Sequence, residues 1–209
     1  MSRYAPMLVV IVVLGAMPAP LPTEIQTRKT EPARISVRLS TPRKNFSVGE
    51  PIPLRVEIEN RGQASIFVGR EIELITGWIN FLELEVVDLR GNKSPSVTLA
   101  PPLVPPPDPN QSFADALARW WIALPPGYSY GTILSIDGEM YRFLQKPGTY
   151  QIRGTYYSQG MLAPVYYNPL RFQPEEVAKL SFSSWTGDTE TNSLTVEIVA
   201  RRESSEKRK

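Results

Sequence analysis

Any chemistry in this chain must come from carboxylates, hydroxyls, amines and aromatic rings, because its 209 residues include no histidine and no cysteine. Those two zeros exclude a Ser-His-Asp triad, an HExxH zinc helix and an imidazole general base. They also exclude a thiol nucleophile, a disulfide framework and any thiolate-held metal. Carboxylates stand close together at Asp137 and Glu139, at Glu175 and Glu176, and at Asp188 and Glu190. A glycosidase needs two carboxylates at a fixed separation across a sugar, which nearness in sequence does not provide. Asp137-Gly138-Glu139 reads more simply as a turn, and Asp188-Thr189-Glu190 lacks the spaced oxygen ligands of a calcium loop. No glycine-rich phosphate loop occurs. The chain is therefore expected to be no enzyme, with no catalytic residue, no metal ligand and no cofactor.

Aromatic side chains are the remaining candidates. Trp120 and Trp121 are adjacent, and Tyr156, Tyr157, Tyr166, Tyr167 and Phe172 lie between Thr155 and Trp185. Coplanar exposed rings would suit a carbohydrate-binding face; the alternative is that the rings cover and cap a core. Trp120 and Trp121 cannot share one platform, since neighbours diverge by about 100° on a helix and point to opposite faces of a strand. Trp120 and Trp185 are assigned to the core. Trp121, Tyr157, Tyr166, Tyr167 and Phe172 are nominated as a binding surface.

The elements that must position these rings are strands. Ile35, Val37 and Leu39 alternate with polar residues, as do Ile52, Leu54, Val56 and Ile58, then Leu82, Leu84 and Val86, and finally Leu194, Val196 and Ile198. Period-two patterning with one wet face predicts antiparallel sheets packed face to face. Helical signals are brief: Ser112 as N-cap with Asp115 three residues on, over Ser112 to Trp121, and Pro174-Glu175-Glu176. Pro101 to Pro109 has six prolines in nine residues and cannot be a central strand; it is expected to be a stiff loop, the rival reading being a polyproline ligand. Ser158 to Asn192 is expected to be one long loop, the first place to look for binding.

The turn at Pro147-Gly148 delivers Tyr150 to a strand start, with Ile152 two residues on. Ig-like sandwiches place a tyrosine there with its hydroxyl bonded back to the turn, so Gly148, Tyr150 and Ile152 are assigned structural roles. Phe46-Ser47-Val48-Gly49-Glu50-Pro51-Ile52 and Leu54 to Asn60 resemble the opening of many extracellular bacterial Ig-like domains. The runs LPPGYSYG (Leu124 to Gly131), Tyr141-Arg142-Phe143 and KPGTYQIRGTY (Lys146 to Tyr156) are similar to the accessory sandwich domain of deuterolysin-type metallopeptidases and to the bacterial intracellular proteinase inhibitor domain. The resemblance spans about Ile35 to Val199. It implies an all-β, Ig-like antiparallel β-sandwich of about seven to nine strands with one or two short helical insertions. The peptidase's HExxH helix has no counterpart, so no peptidase activity is implied.

The ends differ from the body. Met7 to Met17 is an apolar run behind Arg3, with small residues at its exit (Gly15, Ala16, then Ala19), and is expected to be a signal peptide or, uncleaved, an N-terminal anchor. The organisation expected is thus 1–22 signal or anchor, 23–34 polar basic linker, 35–200 sandwich, and 201–209 a basic disordered tail. Residues 45–200 hold 11 basic and 17 acidic side chains, so the body is acidic although the whole chain is +2. A basic nucleic-acid face is not expected. The function expected is protein binding, adhesion or scaffolding at a secreted, periplasmic or surface location, with a protein or envelope component as partner. A proteinase-inhibitor-like domain and a carbohydrate-binding module are the rivals.

Overall fold

The computed structural model describes residues 34–74, 79–94, 111–162 and 172–201. The expected signal segment, almost all of the linker, the proline run, Tyr166, Tyr167 and residues 202–209 lie outside them. Among the described residues, no helix is long and apolar enough to cross a membrane.

The fold is all-β. In chain order the elements are β1 (Ile35–Ser40), β2 (Asn45–Ser47), β3 (Ile52–Asn60), β4 (Ile66–Gly69), β5 (Asn80–Asp88), α1 (Phe113–Trp120), β6 (Trp121–Leu124), β7 (Ser129–Ile136), β8 (Gly148–Ser158), α2 (Pro174–Val177), β9 (Gly187–Glu190) and β10 (Leu194–Val199). A 3₁₀ turn over Arg142–Gln145 precedes β8. One sheet has the order β1-β3-β7, and a second has β2-β10-β8-β5 with β9 also paired to β8. A separate two-stranded ribbon joins β4 and β6. All pairs are antiparallel except β2 with β10.

Alternation dictates which side chains face inward. Ile52, Leu54, Val56 and Ile58 of β3 are fully buried, while Arg55 between them is exposed. Leu82, Leu84 and Val86 of β5, Ile152 and Tyr156 of β8, and Val196 and Ile198 of β10 do the same from the other large sheet. Residues of both sheets belong to one apolar cluster. Each such side chain contributes about 1.5–3 kcal/mol on burial.

Among the described residues there are ten strands, against about seven to nine expected. β4 has no sequence signature, because Ile66-Phe67-Val68-Gly69 is buried on both faces and shows no alternation. The stretch from Ser158 to Asn192 is not one loop: it contains α2 and β9, and β9 returns to pair with Thr155–Ser158 of β8.

Polar groups at strand ends fix the connections. Tyr150 Oη donates to the Lys146 carbonyl at 3.2 Å, and its ring lies 5.0 Å from that of Phe143. Asn60 is fully buried; its Nδ2 donates to the carbonyls of Ala64 and Leu124 at 2.9 and 2.8 Å, tying the end of β3 to the end of β6.

Candidate functional site

A second apolar cluster lies apart from the sheet core. It joins Phe67 of β4, Ile79, Ala116 of α1, Trp121 of β6, Met161 and Phe172. Helix α1 forms because Ser112 caps it, its side chain accepting the Asp115 N–H at 3.2 Å, with Arg119 in the last turn, where a cation suits the helix dipole. Its Phe113, Ala116 and Leu117 turn inward, and Phe113 meets Phe172 edge-on at 5.2 Å. At α2, Gln173 and Glu176 form a capping box behind Pro174, and Val177 and Leu180 pack on the same cluster.

A buried polar hub joins Asn80, next in the chain to Ile79 of the second cluster, to Tyr156 of the first. Ser158 Oγ lies 2.8 Å from Asn80 Oδ1 and 3.1 Å from the Trp185 carbonyl, and Tyr156 Oη donates to the same Asn80 oxygen at 3.4 Å. Burial raises the Tyr156 hydroxyl pKa far above the ordinary phenol range. Gly69 is required beside this hub, since a Cβ there would lie 1.8 Å from Asn80 Nδ2.

Two of the nominated rings are not surface rings. Trp121 is 3% exposed and Phe172 7%, both inside the second cluster. Trp120, assigned to the core, is instead half-buried at the cluster's margin under the Arg119 guanidinium, 5.2 Å from its ring centre. The reversal has a local cause: helix α1 ends at Trp120 and Trp121 already has extended backbone, φ −128° and ψ 151°. Where the helix stops therefore decides which ring turns inward. Tyr157 is half-buried and stacked on Phe81 at 4.6 Å. Trp185 is buried and stacked on Tyr156 at 5.7 Å. Trp121, Phe172 and Trp185 thus offer no face to a sugar ring.

The exposed part of this region came from residues without an aromatic motif. Met161, Val177 and Leu180 floor a groove of about 400 Å³, and Leu162 and Phe182, 54% and 38% exposed, stand at its lip. Ser181, Ser183, Ser184 and Thr186 add hydroxyls along it. Phe182 leans on Phe67 at 5.8 Å, which ties the lip to the cluster beneath. The sequence signal for Phe182 was weak, a lone aromatic in a serine-rich run.

The carboxylates hold structural or solvated positions. Asp137 Oδ1 accepts the N–H groups of Glu139 and Met140 at 3.0 Å, closing a turn. Glu176 belongs to the capping box, and Asp188 and Glu190 lie on β9. Glu85, on the outer face of β5, is paired with Arg153 and Lys93, which hold its carboxyl below the usual range. These residues line a polar cleft of about 440 Å³ with Glu83 and Glu190. Glu71 and Glu73, not singled out from the sequence, are both raised by partial burial; Arg119 opposes the shift at Glu71, and Glu71 adds to it at Glu73. Among the described residues no three acidic side chains converge as a metal site requires.

No family model matches the sequence, and no curated protein matches it. Two solved structures with local similarity are crystal structures of the β-glucosidase from Listeria innocua, in complex with isofagomine and with gluconolactone. Both are 12% identical to this chain and cover 81% and 79% of it, with TM-scores of 0.34 and 0.33. The matched region is 16% of that enzyme's length, and a likeness of this degree carries no argument about activity.

Proposed function

We propose that this chain is a non-catalytic Ig-like module that binds a protein partner outside the cytoplasm. The observation that carries the reading is the groove beside the second cluster, where Leu162 and Phe182 keep apolar surface in water above a floor of Met161, Val177 and Leu180. Exposed apolar side chains over an apolar floor, with polar groups around them, have the arrangement of a protein-binding patch. The Ig-like part rests on strand order. With β1, β3 and β7 taken as strands A, B and E, and β5, β8 and β10 as C, F and G, the two sheets have the ABE and CFG pairings of an Ig sandwich, and Tyr150 stands at the start of strand F. The location rests on the apolar run Met7 to Met17 behind Arg3.

The test is co-purification of the full chain from envelope fractions, comparing the native protein with a Leu162→Asp/Phe182→Asp variant. Both side chains are exposed, so the variant should keep the native circular dichroism. A discrete partner retained by the native chain and lost from the variant supports the reading. Equal retention by both removes the groove as the contact. Turnover of a substrate at enzyme-like rates contradicts the non-catalytic part, and stoichiometric inhibition of a protease would replace the reading with an inhibitor.

A further inference from the structure

Strand β7 leaves one edge of its sheet open. Asn60 donates to the Tyr128 carbonyl and the register continues as Ile58–Tyr130, Val56–Thr132, Leu54–Leu134 and Ile52–Ile136, so the even residues of β7 bond to β3. The N–H and C=O groups of Ser129, Gly131, Ile133 and Ser135 point the other way, and among the described residues nothing hydrogen-bonds to them. Other edges are managed. Asn192 bonds both backbone groups of Leu39 on β1, and the segments at Glu73 and at Lys93–Ser94 cover the two ends of β5. The outer strand β2 is three residues long. By contrast, β7 has eight residues, SYGTILSI, with no charge and no proline. Edges normally carry such residues because an unblocked one templates pairing.

We propose that β7 pairs antiparallel with β7 of a second copy, with Thr132 on the two-fold axis, joining two three-stranded sheets into one of six strands. The register is self-complementary. Only odd residues have free backbone groups, and an axis at Thr132 pairs Ser129 with Ser135 and Gly131 with Ile133 of the second copy, giving about eight new backbone hydrogen bonds. Ile133 is 72% exposed and would lie beside Gly131 of the second copy. Gly131 has no side chain of its own and Arg55 Nε lies 3.5 Å from where its Cβ would stand, so the isoleucine would pack beside the bare glycine and against the Arg55 side chain. Tyr130 and Leu134, half-buried against the core, would be covered at the same time.

Sedimentation equilibrium of the full chain should show a concentration-dependent species of twice 23.5 kDa. Ile133→Lys should return it to the monomer mass with unchanged circular dichroism. The absence of cysteine makes a register test clean. Thr132→Cys would face itself across a non-hydrogen-bonded pair, about 4.5 Å between Cα atoms, within disulfide reach. It should cross-link on mild oxidation, whereas Ser129→Cys should not. A native chain that stays monomeric, including one that instead accepts a foreign strand, overturns the proposal. So does a dimer that survives Ile133→Lys, or equal cross-linking at both positions.

Discussion

The apolar cluster shared by the two larger sheets draws on every second residue of β3, β5, β8 and β10, whereas the second cluster gathers one or a few residues each from β4, α1, β6, α2 and the segments at Met161 and Phe172. In the first, one rule (inward, outward, inward) places each side chain, and neighbouring strands hold each other in register. In the second, the contributors arrive from several short elements, and their positions depend on where a helix stops or a loop turns. The sheet core is therefore suited to be scaffold, and the second cluster is the part whose surface can vary without disturbing it. They meet at Asn80, Tyr156 and Ser158, a buried hydrogen-bonded junction.

Substitutions that break one region should be told apart from those that break the other. The largest effect is expected for Tyr156→Ala, which empties a fully buried site and removes the ring under Trp185. It should cost about 3–5 kcal/mol in urea unfolding and affect the whole fold. Met161→Ala removes the most buried side chain of the second cluster, 1% exposed. It should cost about 2–3 kcal/mol locally, read as faster amide exchange in α1 with much smaller change in β3. Tyr150→Phe keeps the ring and deletes only the bond to Lys146, so about 1 kcal/mol of global stability should be lost.

The smallest effect is a pH effect. Burial raises Glu73, with Glu71 adding to the shift, so its ionised form is disfavoured in the fold. Stability is lost as pH rises from the ordinary carboxylate range through the raised value. Glu73→Gln should therefore raise the melting temperature at pH 7 and leave it unchanged at pH 3; the gain is under about 1 kcal/mol because the group is half-exposed. Glu85 has the opposite sign. Lys93 and Arg153 hold it low, so its contribution is present above the ordinary range and lost as pH falls through the lowered value. Glu85→Gln should lower the melting temperature at pH 7.

Legibility in the sequence follows the same division. β3, β5, β8 and β10 could be read because each alternates, and α1 because Ser112 and Asp115 are local signals that need no tertiary partner. The tyrosine at the start of β8 could be read because a Pro-Gly turn fixes its place. β4 could not, since a strand buried on both faces has no period. Nor could the Trp120–Trp121 pair, whose facing depends on a helix end set by one backbone step. The open edge of β7 was hidden because pairing partners are a property of the sheet, and its eight residues alone look like any half-buried strand.

Native-state hydrogen exchange across the full chain tests the division between scaffold and second cluster most directly. Amides of β3 and β8 should exchange only through global unfolding, and those of α1 and α2 through local opening at clearly lower free energy. Met161→Ala should widen that gap. A single common opening free energy for all four elements, moved equally by Met161→Ala and Tyr156→Ala, would contradict the account.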